Sequence, residues 1–83
     1  MKQYTIVISK AARKFIANQP QNQRNRLFKA IYKLPHSGNI KQLAGYSNLY
    51  RLRVGDYRVI YSVNENILTI EVLNAGNRGD IYK

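Results

Sequence analysis

A chain of 83 residues without cysteine has room for one small core, closed without disulfides or thiolate metal sites. Fourteen Lys and Arg stand against four Asp and Glu, for a formal net charge of +10, which points towards polyanionic partners and away from basic ones. The opening Met1-Lys2-Gln3-Tyr4 leads into alternating residues with no long apolar run, so neither a secretory signal nor a membrane span is expected, and a cytoplasmic setting is.

The charge is unevenly placed. All four acids, Asp56, Glu65, Glu71 and Asp80, follow Gly55, so residues 1–55 are purely cationic. That distribution predicts a nucleic-acid footprint, and an acidic protein partner would be served by the same charge.

From Gln3 to Ile8 the chain alternates Tyr4, Ile6 and Ile8 against Gln3, Thr5 and Val7, the period of a strand with one buried face. Ser9 stands where an N-cap belongs, ahead of a short helix whose Ala12, Phe15 and Ile16 recur at helical spacing until Asn18-Gln19-Pro20 ends it. Pro20 suits the first position of a second helix, in which Leu27, Phe28, Ile31 and Leu34 form an apolar stripe running to Pro35. Residues 36–48 carry Ser37-Gly38-Asn39 and Gly45 with no sustained period, predicting a loop pinned by Ile40 and Leu43. His36, the only histidine, reads as a surface or capping residue.

Leu49 to Val63 is two alternating runs around Gly55-Asp56. Glycine accepts the positive φ of a two-residue hairpin loop, so a β-hairpin is predicted with Val54 opposite Tyr57, Arg53 opposite Arg58, Leu52 opposite Val59 and Arg51 opposite Ile60. One face then collects Tyr50, Leu52, Val54, Tyr57, Val59 and Tyr61, and the other Arg51, Arg53 and Arg58. Like charges directly opposite cost some tenths to about 1 kcal/mol. Folding supplies no reason for that, whereas an anionic ligand does. With Glu65-Asn66 as the next loop, Leu68, Ile70 and Val72 fall opposite Val63, Tyr61 and Val59, and Glu71 lands on the arginine face, one step diagonally from Arg58. Strand four ends near Gly76, and Arg78 and Tyr82 follow it.

These elements predict a single domain, residues 1–83, of the α+β class: a small, mostly antiparallel four-stranded sheet with two N-terminal helices packed on one face, in the order β-α-α-β-β-β. No phosphate-binding glycine loop, metal-ligand cluster or nucleophile with its base is present. What converges is the open sheet face, where guanidinium forks suit a phosphodiester. Tyr46, Tyr50 and Tyr82 are candidates to stack on unpaired bases, although Tyr50, Tyr57 and Tyr61 read as core residues on this register.

The run from Leu49 to Tyr61, Leu-Tyr-Arg-Leu-Arg-Val-Gly-Asp-Tyr-Arg-Val-Ile-Tyr, followed by Gly76-Asn77-Arg78-Gly79-Asp80-Ile81-Tyr82, resembles the signature of the RelE/ParE toxin superfamily over essentially the whole chain. The resemblance implies a toxin of a type II toxin–antitoxin system. On the RelE branch it is an mRNA interferase that enters the ribosomal A site and cuts the message by 2′-OH attack on the adjacent phosphodiester, leaving a 2′,3′-cyclic phosphate and a 5′-OH without metal or cofactor. Arg51, Arg53, Arg58, Arg78 and Tyr82 match its catalytic positions. Asn77 stands where many relatives carry histidine and cannot shuttle a proton, so the proton acceptor falls to Tyr82 or to Glu71.

The implied partners are the 70S ribosome with its mRNA and a cognate antitoxin whose acidic segment wraps the toxin. Operator DNA is reached only through the antitoxin complex, and no membrane is involved. Lys10, Arg13, Lys14, Arg24, Arg26, Lys29, Lys33 and Lys41 are the cations expected to meet ribosomal RNA phosphates. The alternatives on the same fold are a ParE-like inhibitor of DNA gyrase and an inactive relative that keeps antitoxin and DNA binding.

Overall fold

The computed structural model describes residues 3–77. In chain order the elements are β1 (Thr5–Ile8), α1 (Lys10–Ala17), α2 (Gln21–Ile31), β2 (Asn39–Gln42), β3 (Leu49–Val54), β4 (Tyr57–Asn64) and β5 (Thr69–Asn77). Ser9 is the expected cap: its hydroxyl accepts from the Ala12 N–H at 3.1 Å and donates to the Leu73 carbonyl at 2.8 Å, tying α1 to β5. Pro20 is the N-cap of α2 rather than its first residue. That helix stops at Ile31, and Leu34 reaches the core from the turn beyond it.

The strands form one sheet in the order β1-β5-β4-β3-β2. It has five strands rather than the expected four, and it is mixed, because β1 pairs parallel with β5 while the other pairs are antiparallel. The additional strand is β2, inside the predicted loop. Its Asn-Ile-Lys-Gln offers one half-buried residue, Ile40, among exposed ones, too little periodicity to announce a strand. Pairing with β3 makes it one. A lysine-bearing edge of four residues also limits pairing with other chains.

The hairpin is as expected, with Leu52 opposite Val59 and Arg53 opposite Arg58. Gly55 carries φ +59°, the conformation an L side chain disfavours and glycine accepts.

The β4–β5 register differs. Asn64 Oδ1 accepts from the N–H groups of Asn66 at 3.0 Å and Ile67 at 3.3 Å, a local bond that favours a longer turn, and Leu68 closes it at φ +48°. The pairing slips by two residues, so Ile70 lies opposite Val63 and Val72 opposite Tyr61. A bulge at Ile60/Tyr61 then places Ala75, not Val72, opposite Val59. A slip of two keeps inward residues inward, so Ile70 and Val72 stay fully buried while Leu68 is only half-buried.

The core lies between helices and sheet: Ala12 and Ile16 of α1, Leu27 and Ile31 of α2, Leu34, and Leu52, Val54, Val59, Tyr61, Ile70, Val72 and Ala75 of the strands. No buried residue among those described is polar or charged. No helix among them is long and apolar enough to cross a membrane.

Tyr61 brings the core's titratable group. It is 1% exposed and stacked on Tyr50 at 5.6 Å. Burial first, and the neighbouring Tyr50 second, push its pKa from 10.0 to about 12. The folded state holds this proton more tightly than the unfolded chain, so the contribution is intact below pH 10.0 and is lost as pH rises towards about 12. The expected fall is about 1.4 kcal/mol per pH unit across that window. Denaturant midpoints should show a shallower alkaline fall for Tyr61→Phe than for the wild type. Parallel curves would refute the assignment.

Candidate nucleic-acid interface

Side chains that alternate against the core face away from the helices. On that open face β2 places Asn39 and Lys41 opposite Arg53 and Arg51 of β3, and β4 places Arg58 opposite Arg53. Four cations therefore sit on three adjacent strands spaced about 4.8 Å apart. Arg51 and Arg58 are half-buried and Arg53 is exposed. Arg51 Nη2 donates to Asn39 Oδ1 at 3.3 Å, while its Nε is buried without a hydrogen-bond partner. Arg53 Nε donates to the Gly55 carbonyl at 3.4 Å.

The hairpin that carries these arginines is held from the helix side. Tyr57 Oη donates to Gln19 Oε1 at 3.0 Å, Gln19 Nε2 donates to the Phe15 carbonyl at 3.0 Å, and the Phe15 and Tyr57 rings meet edge-on at 6.0 Å. The end of α1 thereby fixes the first residue of β4, one position from Arg58.

Of the expected site, Arg51, Arg53 and Arg58 converge. Arg78 and Tyr82 lie outside the described residues. Glu71 shares the face but not the cluster. The register slip puts it opposite Ser62 and beside Val7 of β1, while Gly76 takes the place opposite Arg58. Four residues of strand separate Ser62 from Arg58, about 13 Å, which corrects the diagonal placement expected from the two-residue loop.

Lys41, expected among the peripheral cations, belongs to this cluster, and Asn39 joins it. Their alternation around Ile40 is the available signal, hidden by the shortness of the strand. Tyr46 is 58% exposed, as a stacking residue needs to be, but Tyr50 points into the core against Tyr61. His36 meets the Tyr4 ring edge-on at 6.1 Å.

The helix cations divide. Arg24 Nη1 donates to the carbonyls of Ala17 at 3.4 Å and Gln19 at 3.3 Å, neutralising the carbonyl end of α1. Arg13 Nη2 reaches the Ile8 carbonyl at 3.3 Å. Lys10, Lys14, Arg26, Lys29 and Lys33 are exposed. Among the described residues no three His, Cys, Asp or Glu side chains come together as metal ligands.

A sequence model of the ParE toxin of the type II toxin–antitoxin system parDE matches residues 7–82. The chain belongs to this toxin family. Within the wider RelE/ParE superfamily, the toxin chain in the archaeal RelE–RelB complex from Pyrococcus horikoshii OT3 is 31% identical, with 95% of this chain and 99% of that one covered and a TM-score of 0.77. The RelB–RelE antitoxin–toxin complex from Methanococcus jannaschii gives 30% identity, 92% and 94% coverage and a TM-score of 0.74. The isolated E. coli RelE toxin shares the fold at 21% identity, with 95% and 90% coverage and a TM-score of 0.75. No curated protein matches the chain in sequence. Membership of the RelE/ParE superfamily thus agrees with the hairpin signature, and the fold is RelE-like with five strands.

Proposed function

We propose that the protein is the toxin of a type II toxin–antitoxin pair and cuts messenger RNA in the ribosomal A site. The observation that carries this is the cluster of Lys41, Arg51, Arg53 and Arg58 on the sheet face opposite the helices, with Arg53 and Arg58 directly opposed. Such opposition disfavours the bare sheet and is relieved by a phosphodiester, whose oxygens the guanidinium forks match.

In this reading the ribose 2′-oxygen forms a bond to the adjacent phosphorus, its proton passes to the phenolate of Tyr82, which becomes the phenol, and the P–O5′ bond breaks. The products are a 2′,3′-cyclic phosphate and a 5′-OH, the departing oxygen taking a proton from solvent. Arg58 stabilises the dianionic phosphorane, where preorganised charge contributes most. Arg78 adds a second charge there, a role implied by the resemblance. Arg51 and Arg53 orient the backbone and hydrogen-bond the developing 5′-oxyanion. Arginine stays protonated in proteins, so none of these groups is the base, and Glu71 is placed too far along the sheet to serve.

The cognate antitoxin covers the same positive face with an acidic segment. The relatives from Pyrococcus horikoshii and Methanococcus jannaschii were solved as toxin–antitoxin complexes. Operator DNA is reached through that complex.

A second reading, inhibition of DNA gyrase, is favoured by the match to the ParE sequence model. One experiment decides. The purified protein is added to a translating extract, message ends are mapped, and gyrase supercoiling is assayed alongside. Ribosome-dependent 5′-OH ends are expected. Gyrase inhibition without them selects the second reading, and silence in both assays makes the chain an inactive relative.

A further inference from the structure

A second cationic surface lies on the helix side. Between α2 and β3 runs a groove of about 410 Å³, walled by Arg26, Lys29 and Lys33 and closed at the hairpin tip by Arg53 and Gly55, with no carboxylate in its lining. Arg26 and Lys29 stand at i and i+3 on one face of α2, stepped by about 4.5 Å along its axis, and Lys33 follows from the turn beyond the helix. Leu52 and Val54 close the floor at 1% and 7% exposed, and the walls are cationic heads on aliphatic stems. Cations with no carboxylate to oppose an anion suit a phosphodiester strand.

The tip joins this groove to the open face. A Cβ on Gly55 would lie 2.9 Å from Arg26 Nη1 and 3.2 Å from Arg26 Cζ, so the guanidinium rests against the turn. Arg53 reaches the same residue from the other side and donates to its carbonyl. Two guanidinium groups from different elements thus flank one glycine, and positive charge is continuous from α2 over the turn to Arg53 and Arg58.

We propose that the groove between α2 and β3, flanked by Arg26, Lys29, Lys33 and Arg53, holds a further stretch of the same RNA strand whose reacting phosphate sits on the open face. Arg26, laid against Gly55, carries the strand around the hairpin tip. The inference rests on the RNA-cleaving reading for its substrate, but its test does not require cleavage.

The probe is a fluorescein-labelled 2′-O-methyl oligoribonucleotide, which cannot be cut, and the readout is the salt dependence of its anisotropy-measured affinity for the full chain. Replacing Lys29→Gln and Lys33→Gln together should flatten the slope of log K against log salt by about 1.4, at roughly 0.7 for each single-strand phosphate no longer neutralised. Arg26→Gln should flatten it by about 0.7 on the same basis. The matched pair Lys10→Gln and Lys14→Gln, whose expected contacts are to ribosomal RNA and not to the message strand, removes equal charge outside the groove and should change the slope less. All these side chains are exposed, so thermal midpoints should stay in place. Equal slopes for the two lysine pairs would reduce the effect to net charge and overturn the proposal, as would no change on emptying the groove. Equal competition by an oligoglutamate of the same charge would make the groove a seat for an acidic peptide and overturn it too. A probe that binds as expected to a protein that cuts no message would sink the cleavage reading while leaving the groove standing.

Discussion

Arg58→Gln is expected to lower ribosome-dependent message cleavage by about 10²- to 10³-fold, the loss seen when one preorganised donor to a developing oxyanion is removed. The substitution keeps much of the side chain's apolar stem and takes away only the charged fork. Its stability consequence should be small. Arg58 lies directly opposite Arg53, and relieving that repulsion, worth up to about 1 kcal/mol, offsets what the half-buried side chain's other contacts contribute, so the variant should stay within about 1 kcal/mol of the wild type. Arg58→Lys restores a point charge without the bidentate fork and should recover only part of the rate. Single-turnover mapping of message ends, paired with thermal unfolding, separates the two effects. Undiminished cleavage in Arg58→Gln would remove this arginine from the mechanism, and a large drop in stability would make it a structural residue.

Ile70→Ala is expected to cost about 2–5 kcal/mol of folding free energy, through lost transfer energy and the cavity left behind. Ile70 is fully buried, and its strand stands between β1 and β4, pairing with Ile6 and Val63. A domain this small has about 5–15 kcal/mol in total, so the variant should lose a large share of its urea midpoint. Ile67→Ala is the comparison. That residue is 66% exposed in the turn before β5 and should shift stability by less than about 0.5 kcal/mol. Similar midpoints for the two variants would mean that β5 does not turn Ile70 into the core.

These two residues also mark where sequence reasoning works. The β3–β4 hairpin needs only its own residues. Period-two alternation assigns each side chain to a face, and a two-residue loop with glycine at positive φ permits one register. Arg51, Arg53 and Arg58 are therefore placed on one face by local sequence alone. The Ser9 cap and the apolar residues of α1 and α2 are equally local, because cap and helical period act within a turn or two of the chain.

Beyond the hairpin, choices that look equivalent locally are made by neighbours. Glu65-Asn66 suits a short loop as well as Asn64 suits a longer one, and the bonds to Asn64 Oδ1 select the latter. Ile70 and Val72 stay in the core because the slip is even, whereas Glu71 moves away from Arg58. Net charge brings Arg24 into the expected RNA-binding set, although that side chain caps α1.

By itself the sequence determined a basic α+β domain, its central hairpin and the three arginines on one face, since each follows from short-range periodicity, turn chemistry and charge. Only the tertiary structure decided that residues 39–42 are a strand, that β1 runs parallel to β5, that Lys41 joins the arginines and that Arg26 rests against Gly55. Each of these depends on a partner distant in the chain, and a lone Ile40 or a glycine at a turn carries no local sign of what will pack against it.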